Sequence, residues 1–338
     1  MTTMQLWVLC AAGILSFLIS TLLGKWVIPA LQRLHFGQTI REEGPAWHQS
    51  KSGTPTMGGV LFIAATVATA LLTILISQLF LDYQILSSTT LSLVKLFGTL
   101  LLALGCGLIG FLDDYIKVVK KRNLGLTARQ KLIAQLLVAT AFAVAMYLAG
   151  GHVIKVPFFG PVDFGFWYIP FCIFVIIAMS NATNLTDGVD GLCGSVSFIA
   201  VLPLVVIAGN MAAFGISAVA VAFAGALAGF LMWNLHPARV FMGDTGSLFI
   251  GALLTGLAFS LEQPFLLVPI GIIYILENLS VILQVTYFKL THGRRLFKMS
   301  PLHHHFELCN WSENKIVLVF SAVTVIGGVL ALLLFFRA

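Results

Sequence analysis

The sequence predicts an all-α integral membrane protein of ten transmembrane helices. Both termini are expected on the outer, periplasmic side, and five cytoplasmic loops are expected to form an active site. Three observations carry this. Apolar runs of about 18 residues or more recur along the 338 residues, each long enough to cross a bilayer as a helix. The chain is 59% hydrophobic and only 9% charged, with a mean hydropathy of +1.00, which excludes an ordinary soluble domain. The alternating ten-residue pattern of a transmembrane β-barrel does not appear, so helices are the remaining way to satisfy the backbone in lipid.

The expected spans cover residues 6–23, 57–79, 93–116, 132–149, 167–184, 193–209, 212–233, 246–261, 265–288 and 316–336, within one polytopic domain, 1–338. The first run lacks a basic start and a small-residue cleavage site, so it reads as a span and not as a cleavable signal. The polar gap between the fifth and sixth spans is short enough to leave open one long, broken helix. Residues 150–166 (GGHVIKVPFFGPVDFGF) predict a small hairpin around Gly160-Pro161 on the outer side. The five cysteines are scattered and form no C-x-x-C pair, so free thiols are expected, with no disulfide framework or zinc site.

Basic residues orient the chain. Of the 19 Lys and Arg, only Lys95, Lys155 and Arg337 fall in one set of alternating loops and ends; the other sixteen fall in the opposite set. The positive-inside rule places those sixteen in the cytoplasm. The net charge of +6 then faces cytoplasmic anions and anionic headgroups.

The polar chemistry collects on that same side. Residues 181–192 (NATNLTDGVDGL) hold two carboxylates, two amides, two hydroxyls and two glycines between apolar runs, a density that lipid-facing helix does not tolerate. Asp187 and Asp190, three apart, share a face if that stretch is helical, and such oxygen ligands suit Mg²⁺. Asp113 and Asp114 close the third span. Adjacent carboxylates repel unless a cation or proton lies between them, and Lys117 is one turn away. Their position at a helix C-terminus is electrostatically unfavourable. A bound cation or a base role explains it better than a solvated helix end. Residues 243–247 (GDTGS) open the eighth span. Asp244 caps that helix, or it holds a metal that bridges phosphate at a glycine-rich helix start. His303, His304 and His305 are consecutive, so their side chains diverge and do not readily share one metal. With Arg294, Arg295 and Lys298 they suggest a diphosphate-binding loop, with one imidazole able to relay protons. Glu277 and Asn278 lie inside the ninth span. A buried pair with a neighbouring helix is as good a reading as a functional one, and they are left outside the expected site.

These motifs, in this order, resemble the polyprenyl-phosphate N-acetylhexosamine-1-phosphate transferase superfamily over essentially the whole chain. The aspartate pair matches Asp113-Asp114, the Asn-x-x-Asn-x-x-Asp-Gly-x-Asp-Gly-Leu motif matches 181–192, and the Gly-Asp-Thr-Gly-Ser motif matches 243–247. The run PLHHHFE at 301–307 and the stretch TPTMGG at 54–59 resemble the branch that transfers phospho-N-acetylmuramoyl-pentapeptide. The resemblance implies transfer from UDP-N-acetylmuramoyl-pentapeptide to undecaprenyl phosphate with Mg²⁺, giving lipid I and UMP for peptidoglycan, in the bacterial inner membrane. A homodimer within membrane lipid is expected, and no nucleic acid. The roles that follow are expectations. Asp244 ligates Mg²⁺, and Asp187 shares the metal or orients phosphates. Asp113 and Asp114 engage the lipid phosphate, one as general base. Asp190, Asn184 and Asn234 shape a nucleotide pocket in which Phe241 stacks on uracil. Lys51, Lys117, Lys121, His303, His304 and His305 neutralise phosphate. A two-step route through an aspartyl intermediate stays open. Two other readings are a UDP-N-acetylglucosamine transferase, which the triple histidine opposes, and an ion-coupled transporter. Transporter sites lie near the bilayer midplane, whereas these clusters gather at one face.

Overall fold

The computed structural model is largely helical and describes residues 1–33, 53–80, 89–119 and 125–337. Lys51 and Lys121, two of the expected phosphate ligands, lie outside the described residues. The helices are α1 (Thr3–Arg33), α2 (Gly59–Phe80), α3 (Thr90–Leu93), α4 (Thr99–Val119), α5 (Ala128–Leu148), α6 (Tyr168–Thr186) and α7 (Leu192–Asn210), then α8 (Phe214–Asn234), α9 (Gly243–Ser260), α10 (Leu267–Ile270), α11 (Ile272–Leu290), α12 (Leu302–Glu307) and α13 (Glu313–Arg337). A single π-helical turn, Val94–Gly98, joins α3 to α4, so the expected third span begins irregularly.

Among the described residues, nine helices are long and apolar enough to cross a membrane, not ten. The expected eighth span, α9, is outside that set because its first turn carries the polar run Gly243 to Ser247. It is also the most enclosed helix: every residue from Thr245 to Ser260 is buried. Helices α2, α4, α6 and α7 pack around it. Outer helices keep a lipid-facing apolar side instead, as Trp7 and Trp26 of α1 and Leu137 of α5 illustrate.

Helix α4 runs antiparallel to α9. At one end the Thr99 hydroxyl meets Ser260 Oγ at 2.8 Å and the Gly256 carbonyl at 3.2 Å. At the other end Asp114 meets Asp244 and Thr245. A Cβ on Gly110 would overlap the Asp244 carbonyl, so the close approach of the two backbones needs glycine there. This pairing places the carboxylates of both helices at the same end of the bundle.

Several expectations are corrected. The first span continues past Lys25 to Arg33, because an interfacial lysine snorkels and does not end a helix. The expected ninth span is broken into a 3₁₀ turn (Pro264–Leu266), α10 and α11. Pro264 and Pro269 lack the N–H that a continuous helix requires. The fifth and sixth spans are the two separate helices expected, α6 and α7, and only the alternative of one long broken helix falls away, with left-handed Gly191 (φ 74°) at the α7 N-cap. The hairpin exists as β1 (Val153–Val156) and β2 (Gly160–Asp163), but its turn is residues 157–159. Gly160-Pro161 begins the second strand, and the Phe159 N–H donates to the Val156 carbonyl at 3.0 Å to close the turn.

Candidate active site

Three carboxylates from two distant parts of the chain converge at this end of the bundle. One oxygen each from Asp113, Asp114 and Asp244 lies within 4.8 Å of the others. Two ammonium groups sit among them. Lys117 Nζ is 2.6 Å from Asp113 Oδ2, 3.1 Å from Asp244 Oδ2 and 3.8 Å from Asp114 Oδ1. Lys131 Nζ is 2.5 Å from Asp244 Oδ2 and 3.7 Å from Asp113 Oδ2. In the sequence Lys131 stands out only as one of the sixteen basic residues on one side. Its sequence signal is the Thr127-x-x-Gln130 capping box, which starts α5 and holds Lys131 in the first helical turn.

The two adjacent aspartates have different surroundings. Asp113 Oδ1 accepts the Leu126 N–H at 2.8 Å, just before α5, while its other oxygen faces the lysines. Asp114 is turned onto the start of α9: Oδ2 accepts the Thr245 N–H (2.9 Å) and hydroxyl (2.7 Å), and Oδ1 the Asp244 N–H (3.2 Å). Asp114 therefore caps α9 from another helix. Its place at the C-terminal end of α4 loses its electrostatic penalty because it is also the N-terminal end of α9. The N-cap residue of α9, Met242, supplies no side-chain cap, and Asp244 lies in the first turn, free of that duty.

Asn184 was expected in the nucleotide pocket. Instead its amide donates to Asp244 Oδ1 (2.7 Å) and Ser247 Oγ (2.9 Å), which fixes the Asp244 carboxylate from the α6 side. Asp187, at the end of α6, is half-buried in the same region. Burial pushes its carboxyl up to about 8; the charges of Asp244, Asp114 and Asp190 add to this, and the Gly243 N–H opposes it. An excess of negative charge held in one place, with hard oxygen donors, fits a Mg²⁺ ion shared with phosphate.

Asp190 and Asn234 build a separate corner. Asp190 Oδ2 accepts the Ala238 N–H at 3.0 Å and lies 3.0 Å from His236 Nδ1, and its own N–H donates to Glu313 Oε2 at 3.0 Å. The Asn234 amide donates to the Val240 carbonyl (2.9 Å) and its oxygen accepts the Gly191 N–H (3.2 Å), so it clasps the 188–191 turn to the loop before α9. Phe241 is half-buried on that loop. Its N–H donates to Pro55 O, and its carbonyl accepts the Gly58 N–H, both at 2.8 Å. The stretch at 54–59 thus anchors the loop bearing Phe241 and α9. His236 and Glu313 were not anticipated, because nothing in their sequence spacing links them to Asp190.

The histidines lie on or beside the short α12, each with its own partner. His304 Nδ1 is 2.6 Å from Glu307 Oε2. His305 Nδ1 accepts the Lys298 N–H at 3.1 Å. Lys298 Nζ donates to the Leu308 carbonyl at 2.8 Å, and Arg294 and Arg295 are exposed. His303 is buried against Glu277, a residue outside the site expected from the sequence.

A family model described as glycosyl transferase family 4 matches residues 96–262, and a phospho-N-acetylmuramoyl-pentapeptide-transferase signature matches residues 51–63. Among similar proteins is the phospho-N-acetylmuramoyl-pentapeptide-transferase of Halalkalibacterium halodurans, 47% identical over 329 residues, 97% of each chain. That of Bacillus subtilis (strain 168) is 48% identical over 94% of this chain and 95% of its own. That of Clostridium perfringens (strain 13 / Type A) is 46% identical over 93% and 95% respectively. At such identity over nearly the full length of both partners, the chain belongs to the phospho-N-acetylmuramoyl-pentapeptide-transferase family.

Proposed function

We propose that the protein transfers phospho-N-acetylmuramoyl-pentapeptide from its UDP derivative to undecaprenyl phosphate, giving lipid I and UMP. The observation that carries this reading is the meeting of Asp113, Asp114 and Asp244 with Lys117 and Lys131 at the ends of apolar helices. One substrate is soluble and the other a lipid, and helix ends are where both can be reached. A carboxylate cluster at helix ends is also unlike the midplane site of a transporter.

The chain's residues divide the work. Asp244, oriented by Asn184, and Asp187 hold Mg²⁺. The ion supplies charge neutralisation on the diphosphate when bound. Lys117 and Lys131 exchange their carboxylate partners for substrate phosphate oxygens, and Lys51 and Lys121 add positive charge for the same phosphates. Asp113, whose Oδ2 faces Lys117 and Lys131 and not a backbone cap, is the carboxylate best placed to take a proton from the lipid phosphate. Asp114 keeps the α9 start in register beside it. Phe241 offers a stacking face to uracil, with Asp190 and Asn234 shaping the corner behind it. His303, His304 and His305 border the phosphates. The membrane is the bacterial cytoplasmic membrane, with ten helices spanning it if α9 is counted, and with the site on the cytoplasmic side. A homodimer is proposed on the family resemblance alone.

The decisive experiment offers the purified protein undecaprenyl phosphate, Mg²⁺ and either UDP-N-acetylmuramoyl-pentapeptide or UDP-N-acetylglucosamine. UMP release and a lipid-linked product are expected only with the first. Product from the second alone would replace this reading with the other branch of the superfamily.

Two further outcomes follow from the same reading. A C-terminal reporter that is active only in the cytoplasm should stay silent, since the sixteen-to-three distribution of basic residues places both termini outside. A bright reporter would invert the topology. The second concerns pH. With its carboxyl raised to about 8, Asp187 is protonated at neutral pH in the metal-free protein, so Mg²⁺ must displace a proton. Mg²⁺ affinity is expected to rise by up to about tenfold per pH unit below 8 and to level off above it. Calorimetric titration across that range checks this; a flat profile would take Asp187 out of the metal site.

A further inference from the structure

Glu277 lies in α11, a helix that otherwise reads as membrane-spanning, and it is fully buried. Both of its oxygens serve one residue: Oε1 accepts the His303 N–H at 3.2 Å, and Oε2 lies 3.2 Å from His303 Nδ1. His303 is itself only 1% exposed. Its other ring nitrogen, Nε2, has no hydrogen-bond partner among the described residues. That nitrogen faces Gly188, the residue after Asp187: a Cβ built on Gly188 would overlap His303 Nε2. The ring is thus held from behind by a carboxylate and given room in front by a missing side chain, in the turn that carries Asp187.

We propose that Glu277 is a positioning residue. It keeps the proton on His303 Nδ1 and fixes the ring plane, so that Nε2 is the nitrogen presented to a substrate phosphate oxygen beside Asp187. This rests on the phosphoryl-transfer reading above and adds to it a residue and an orientation. A carboxylate is the right partner because it only accepts, whereas a neutral amide offers one acceptor and one donor. When Nε2 carries a proton and meets phosphate, the ring's positive charge lies between two anions, and the carboxylate behind compensates it in a dry environment. Orientation of a histidine by a buried carboxylate is a recurring catalytic device, and loss of the carboxylate's acceptor pattern upsets the tautomer. Gly188 has no positive φ, so the space for the imidazole is the reason that position is glycine.

The test is a double-mutant cycle in steady-state kinetics with the uridine substrate, alongside nucleotide-substrate affinity and thermal melting. Glu277→Gln leaves a near-isosteric side chain but forces a donor onto one of the two His303 contacts. It is expected to lower kcat by about 100-fold or more with the uridine-substrate affinity kept. In the His303→Ala background the same change should cost less than about threefold, because the ring it positions is gone. A merely structural clasp between α11 and α12 predicts the reverse: lower melting temperature, weakened nucleotide affinity, and the same loss in both backgrounds. That outcome overturns the proposal, as does an unchanged kcat for Glu277→Gln. If Glu277→Gln fails to fold, Gly188→Ala decides instead, because it displaces the ring from the front without touching α11. Its loss of kcat should likewise shrink in the His303→Ala background, and equal losses overturn the proposal. The wild-type rate in the same assay separates the two claims: an inactive wild type refutes the proposed function, whereas an active wild type with additive variants refutes only this role of Glu277.

Discussion

Asp244→Asn is expected to lower turnover at ordinary Mg²⁺ concentrations by at least about a thousandfold, an increase of ~4 kcal/mol in the barrier. The variant should remain folded. Asp244 makes its contacts with side chains, namely Lys131 at 2.5 Å, Lys117 at 3.1 Å and the Asn184 amide at 2.7 Å, and not with the helix start that Asp114 caps. Asparagine keeps its volume. The first turn of α9 loses one favourable charge, which costs about 0.3–1 kcal/mol at a helix N-terminus. What disappears is the anion that two ammonium groups and the proposed Mg²⁺ share. Lipid I formation and thermal melting measured together settle the matter. A purified Asp244→Asn protein that turns over near the wild-type rate would leave the carboxylate with a purely electrostatic role in the helix.

The second large effect separates two residues that the sequence treats as equals. Asp113→Asn should collapse kcat with the fold and the uridine-substrate affinity largely retained, because its Oδ2 pairs with lysine side chains and holds no helix end. Asp114→Asn should lose activity and stability together. Its oxygens accept two backbone N–H groups and the Thr245 hydroxyl, and an amide cannot accept at both ends. Leaving buried donors unmatched costs about 1–3 kcal/mol each, so a clear fall in melting temperature is expected for Asp114→Asn only. Phe241→Ala supplies the contrast on the nucleotide side: weaker uridine-substrate binding with kcat mostly kept, since a stacking face used equally in ground and transition states acts on KM. Calorimetry, melting and steady-state kinetics on the three variants test this division. It fails if Asp113→Asn weakens uridine-substrate binding as severely as Phe241→Ala, or if Asp114→Asn melts like wild type.

Much of the architecture was legible because hydrophobic length is a one-dimensional property. The apolar runs at 57–79, 132–149 and 212–233 correspond closely to α2, α5 and α8. What failed in the spans failed locally. Pro264 just before it and Pro269 within it break up a run that hydropathy alone reads as continuous. The turn at 157–159 was misplaced by three residues because Gly160-Pro161 carries the stronger turn composition. The polar loops were found for the same reason: charge in an apolar chain is costly and therefore conspicuous.

The sequence by itself determined the class of protein and singled out aspartates that the fold brings together, since both follow from composition and short motifs. Only the tertiary structure decided how those residues divide. Asp114 and Asp244 are 130 positions apart, and nothing local says that one caps the helix on which the other stands. Lys131 looked like one more interfacial cation until the α4–α5 packing brought it against Asp244. Asn184 moved from the nucleotide corner to the acidic cluster, and Glu277 from an unassigned buried acid to the partner of His303. The reason is physical: side-chain hydrogen bonds and ion pairs act over about 3 Å, and which groups come that close is set by the packing of helices whose sequences carry no record of their neighbours.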